Sequence, residues 1–140
     1  MDHQVLRTDR RGAMLLMTVF AIAFAVALVV GFLQASLTDL KIARNTQYSK
    51  RALYIADAGI EDAVSELRWL RFWSDGFADK PFAGDSYTVT VANTYPTAVI
   101  DSIGTVSGGF QKHARAGVTI LGPPYHKPYP VIVDYWNELF

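Results

Sequence analysis

Few side chains in this sequence have the types and spacing that chemistry needs. Asp101-Ser102 with His113 supplies the residue types of a nucleophilic triad, in which the serine hydroxyl needs a base in reach and a carboxylate behind it. The G-x-S-x-G elbow that would expose such a serine is missing, and a serine beside an aspartate in a strand is commonplace. His3, His113 and His126 are scattered and form no H-E-x-x-H pair on one helix face. Asp75, Asp79 and Asp85 are too dispersed for a calcium loop. The phosphate-cradling G-x-x-x-x-G-K is also missing. With no cysteine, disulfides, thiolate metal sites and cysteine nucleophiles are excluded. Thirteen basic residues balance thirteen acidic ones, so bulk charge provides no attraction to nucleic acid. The expectation is a protein that works by packing, without a catalytic centre, bound metal or cofactor.

The elements that do the packing begin with Ala13–Leu33, AMLLMTVFAIAFAVALVVGFL, which has no charge and only Thr18 as a polar side chain. Its 21 residues suit a helix of about 30 Å, the thickness of a bilayer's hydrocarbon core. In lipid a lone segment must satisfy its own backbone hydrogen bonds, which requires a helix. Three fates are open to it. A cleaved secretory signal would use Leu33-Gln34-Ala35 as its cut site, although the run exceeds the usual 7–15 apolar residues of such signals. A signal anchor would stay in the membrane. Arg7, Arg10 and Arg11 before the run and Lys41 and Arg44 after it give a small charge bias towards an N-terminus inside.

The third fate, the spine of an assembly, follows from residues 34–73. This stretch has no proline, and its only glycine is Gly59. Leu53, Ala56, Ile60, Ala63, Leu67 and Leu70 recur at spacings of three and four, as one helix face requires, with Val64 beside the stripe. Arg51, Asp62 and Glu66 are expected to point away from it, with Lys50, Glu61 and Arg68 flanking. Gly31 softens the junction, because glycine costs about 1 kcal/mol in a helix.

Arg10-Arg11-Gly12 before the apolar run, Gly31 near its end, Asn45, and Ala52-Leu53-Tyr54-Ile55-Ala56-Asp57-Ala58-Gly59-Ile60-Glu61-Asp62-Ala63 together carry a resemblance. In these features the sequence resembles the type IV pilin-like superfamily, most closely its PilX-like minor pilins. The resemblance covers residues 10 to about 70. It implies a basic leader cut by a prepilin peptidase between Gly12 and Ala13, and a long N-terminal helix laid on a small sheet. Major pilins carry a glutamate at the fifth residue after the cut, where this chain has Met17, and usually phenylalanine at the first, where it has Ala13. GspK-like tip pseudopilins also lack that glutamate, so the departure points to a minor or tip subunit. Small residues Ala52, Ala56, Ala58, Gly59 and Ala63 would let a neighbouring element approach closely. Acidic Asp57, Glu61, Asp62 and Glu66 could pair with basic Lys41, Arg44, Lys50 and Arg51 of staggered copies, or simply face solvent.

Downstream, Trp69, Phe72, Trp73, Phe77 and Phe82 form an aromatic connection punctuated by Gly76, Pro81 and Gly84, read as packing under a loop in preference to ligand binding. Ser86–Ala92 and Phe110–Leu121 alternate as strands. Ala98–Val106 is a third, with Gly104 marking a bulge and Ser107-Gly108-Gly109 a hairpin turn. The proline- and aromatic-rich tail 122–140 offers a short edge strand at Val131–Val133, folding over its own sheet in preference to reaching a neighbour.

The expected fold is therefore α+β: leader 1–12, membrane and assembly helix 13–33, amphipathic helix 34–73, antiparallel β domain 74–121 and tail 122–140. The residues expected to matter are Gly12 and Ala13 for processing, and Met17, Thr18 and Gly31 within the assembly helix. Ala56, Ile60, Ala63, Leu67 and Leu70 are expected to pack on the sheet. The resemblance implies other pilin-like subunits, the prepilin peptidase, inner-membrane assembly machinery and the membrane as partners. It also implies an inner-membrane start, with the C-terminal domain outside the cytoplasm, and then an envelope filament. The alternative is an unprocessed single-pass protein whose external domain binds a partner or ligand.

Overall fold

The computed structural model describes residues 5–139, with side-chain surroundings from Gly12 onward. The first four residues of the expected leader, His3 among them, and the terminal Phe140 lie outside the described residues. One helix, α1 (Val5–Trp69), is followed by five strands: β1 (Phe77–Phe82), β2 (Asp85–Thr94), β3 (Thr97–Val106), β4 (Phe110–Ile120) and β5 (Val131–Leu139). The strands form one antiparallel sheet in chain order, β1-β2-β3-β4-β5. Two compact units divide the chain, residues 1–44 and residues 45–140. The expected α+β class, a long N-terminal helix with a small antiparallel sheet, is what the chain adopts.

Within the second unit, α1 lays Ala52, Ile55, Ala56, Ile60, Ala63, Val64 and Leu67 on one face of the sheet, all buried. The sheet answers with the inward residues of its alternating strands, among them Tyr87, Val89, Ile100, Ala116, Val118 and Ile120. Two glycines make the close approach possible. A Cβ on Gly104 would stand 2.1 Å from the carbonyl oxygen of Ala52 and 2.5 Å from the amide nitrogen of Ala56. One on Gly59 would stand 2.4 Å from Ser102 Oγ and 2.9 Å from a Val89 methyl. Gly104 is therefore a crossing point for the helix backbone, and the bulge expected there does not occur: the pairing of β3 with both neighbours is unbroken around it. The small residues do let an element approach, and that element is the chain's own sheet.

Leu70 departs from the expected packing face. The helix ends at Trp69, the helical phase is lost, and Leu70 turns outward with 52% of its surface exposed. No glycine or proline stops α1 there. Partners distant in sequence take up the freed carbonyls instead: the Tyr129 amide donates to Arg68 O at 2.7 Å, and Asn93 Nδ2 donates to Arg71 O (3.0 Å) and Trp73 O (2.9 Å).

The aromatic connection contains a strand that the sequence pattern hid. β1 pairs with β2 with a register shift between Phe77 and Lys80, where Asp79 has φ +47° and its amide donates to Thr88 Oγ1 at 3.2 Å. Pro81 is tolerated because β1 is an edge strand. At the opposite edge β5 runs for nine residues, well past the expected Val133. It passes a register shift opposite Gly117/Val118, and Asp134 accepts from Thr119 Oγ1 at 2.6 Å. The tail folds onto its own sheet, as expected.

Two ion pairs tie the helix flank to the sheet. Asp85, whose side chain is fully buried, accepts from Arg51 Nε at 2.5 Å and from the Ser107 amide at 3.1 Å. Asp62 accepts from Lys80 Nζ and, at 2.7 Å, from Tyr87 Oη. Arg51 and Asp62 thus do not simply point away from the stripe, and both are engaged within the chain.

Burial opposes ionisation of Asp62, but the hydrogen bonds from Lys80 and Tyr87 outweigh it and hold the carboxyl below its ordinary 3.8. The Asp62 hydrogen bond raises Lys80 above 10.5, and burial raises Tyr87 above 10.0. A depressed carboxyl stabilises the fold above its unfolded pKa, and that contribution is lost as pH falls through the folded value. Raised groups stabilise below their unfolded pKa, and their contribution is lost as pH rises through the folded values. The Asp62→Asn variant should therefore melt below the wild type at neutral pH, and the gap should close below pH 3.8. The advantage of wild type over Tyr87→Phe should shrink above pH 10.0. Thermal melts across pH check both arms, and a pH-independent gap would refute the assignment.

Candidate functional site: an exposed apolar helix segment

Every residue from Gly12 to Leu33 is exposed, and the apolar window within this part of α1 has none of its surface buried by the rest of the chain. Met14, Met17, Phe20, Phe24 and Phe32 each leave more than two thirds of their surface open. The segment is one helix long and apolar enough to cross a membrane. Twelve of its residues are Leu, Ile, Phe or Val. At roughly 0.3–0.6 kcal/mol each for a residue at the centre of a span, they favour insertion by on the order of 4–7 kcal/mol.

The only polar side chain in the run costs little in lipid, because Thr18 Oγ1 donates to Leu15 O at 2.8 Å. Met17 places a thioether where a carboxylate would carry a desolvation penalty. Around both Gly12 and Gly31 an added Cβ would meet nothing within 4 Å. The chain's own packing therefore demands neither glycine. Ala13 follows Gly12 within the same unbroken helix.

The triad types are not brought together. Asp101 and His113 share the face of the sheet away from α1, with His113 Nε2 3.1 Å from Asp101 Oδ1. Arg115 donates to the same carboxylate at 2.7 and 3.2 Å, and that hydrogen bond holds the guanidinium pKa above its usual value. Ser102 lies on the opposite face, fully buried beneath Gly59. Strand alternation separates the hydroxyl from the imidazole, so these three residues form no relay. Among the described residues no group of His, Cys, Asp and Glu is arranged to hold a metal.

Sequence reading missed a second feature, a groove of ≈ 390 Å³ at the C-terminal end of α1. Arg71 on its wall holds its guanidinium carbon over Phe72 (4.8 Å), Tyr95 (5.4 Å) and Tyr129 (5.8 Å). These residues come from three separate connections, and no local pattern links them.

Compared with protein-family models, curated proteins and solved structures, the chain matches none.

Proposed function

We propose that this chain is a minor or tip-type pilin-like subunit that is anchored through Ala13–Leu33 and assembles by burying that segment among neighbouring helices. The observation that carries the reading is an exposed, uncharged run continuous with a helix whose apolar face further along is used up by its own sheet. Gly12 and Ala13 are the residues for processing, with a prepilin-type peptidase, other pilin-like subunits and inner-membrane assembly machinery as the partners. The protein acts by packing, not catalysis, and needs no cofactor. It starts in the inner membrane with its β domain outside the cytoplasm and ends in an envelope filament. Met17 in place of a carboxylate favours a minor or tip position. The rival reading is an unprocessed single-pass protein whose external domain binds a ligand or partner, and the groove beside Arg71 is the observation in its favour.

The N-terminal residue of the membrane-extracted protein decides between them. A start at Ala13 supports the subunit reading, a start at Met1 supports the rival, and a start near Ser36 overturns both. Replacing Gly12 by leucine should leave folding unchanged, since the position is open, yet abolish conversion to the shorter form. Equal maturation of Gly12→Leu and wild type would count against the proposal.

A further inference from the structure

The groove at the end of α1 gathers large rings, two cations and a carboxylate at the protein surface. Trp69 and Phe72 stay 55% and 62% exposed, although large rings are normally buried where packing is their only role. Trp73 and Phe77, by contrast, do pack on the core. Arg71 and Lys127 line the groove, and among the described residues neither forms an ion pair with a carboxylate. Ser74 and Asp75 complete the wall. The backbone under it is fixed by the two Asn93 hydrogen bonds and by the Tyr129–Arg68 bond, so the site is preformed. Its volume falls within the range of small-molecule sites.

We infer that this groove binds a carboxylated sugar. Ring faces carry partial negative charge and accept the C–H face of a pyranose. The guanidinium, held over its rings with its N–H edge uncommitted to any carboxylate among the described residues, and the Lys127 ammonium supply the charge-assisted hydrogen bonds that a carboxylate takes. Asp75 separates this ligand from an acidic peptide: its carboxylate accepts from sugar hydroxyls but repels a row of acidic side chains. The inference does not depend on processing at Gly12, and it holds for a filament subunit or a single-pass protein alike.

The test uses the full chain in detergent, carrying Trp136→Phe so that indole fluorescence reports Trp69 and Trp73. Titration with digalacturonate should give saturable quenching that weakens as salt is raised, with the neutral galactose disaccharide at least tenfold weaker. Arg71→Met should reduce affinity at least tenfold. Lys127→Met, at an exposed position, should reduce it severalfold without changing the melting temperature. Asp75→Asn should strengthen binding of the glutamate-rich peptide more than binding of the sugar acid. Absence of quenching, equal response to both sugars, or a glutamate-rich peptide binding as tightly as digalacturonate would each overturn the inference. So would wild-type affinity in Lys127→Met.

Discussion

Gly104→Ala is expected to cost the 45–140 unit about 3 kcal/mol or more, at the top of the range for overpacking. The obstacle is main chain. The new methyl would stand 2.1 Å from Ala52 O and 2.5 Å from Ala56 N, so the helix itself must lift from β3. Lifting it opens gaps beside Ile55 on the helix and Val106 on β3, both buried, and forfeits part of their packing. For a unit of this size such a loss lowers the melting temperature by on the order of 10–20 °C. Gly59→Ala should cost less, because there the methyl meets only side-chain atoms, Ser102 Oγ, a Val89 methyl and the Tyr87 ring, and no main chain. Thermal denaturation of both variants in detergent checks the order, and a Gly104→Ala variant as stable as Gly59→Ala would show that the helix has room to shift.

Phe24→Asp combined with Leu28→Asp should remove the protein from the membrane. Each aspartate costs roughly 2.5–3.5 kcal/mol near the centre of a span, and two together match or exceed the insertion energy of the whole run. A single substitution would leave insertion favourable and is a weaker test. Leu40→Asp, at an equally exposed leucine beyond the run, should leave membrane association unchanged. Alkaline extraction of membranes separates the cases. The double variant should appear in the soluble or aggregated fraction, and its retention in the membrane would mean that something other than Ala13–Leu33 anchors the chain.

The sequence by itself determined the features that are written locally. An uncharged run of bilayer length needs no tertiary partner to be recognised, because its solvent preference follows from composition. The three-and-four spacing of Ala56, Ile60, Ala63 and Leu67 specified the helix face, and the alternation of Tyr87 and Val89 specified the sheet face that receives it. The strand at the start of the tail was legible too, since Val131–Val133 had strand character; that it pairs with the chain's own β4 was expected in preference to a neighbour.

Only the tertiary structure decided the rest, in each case because the deciding partner lies far along the chain. Leu70 continues the helical stripe perfectly in sequence, yet it is outside because the tail claims the Arg68 carbonyl and Asn93 claims those of Arg71 and Trp73, so the helix stops at Trp69. β1 was hidden by Pro81 and by a bulge at Asp79, and it exists because β2 offers it an edge. Gly104 looks like a bulge from its neighbours, but it is where the Ala52 carbonyl comes down. Arg71, Lys127 and Tyr129 become one groove only when the connections on either side of the sheet meet at the end of α1, with Tyr95 packed against Arg71 from a third. Faces are set by the periodicity of neighbouring residues. Which residues occupy them, and which polar groups find partners, is set by contacts across tens of residues that no local period records.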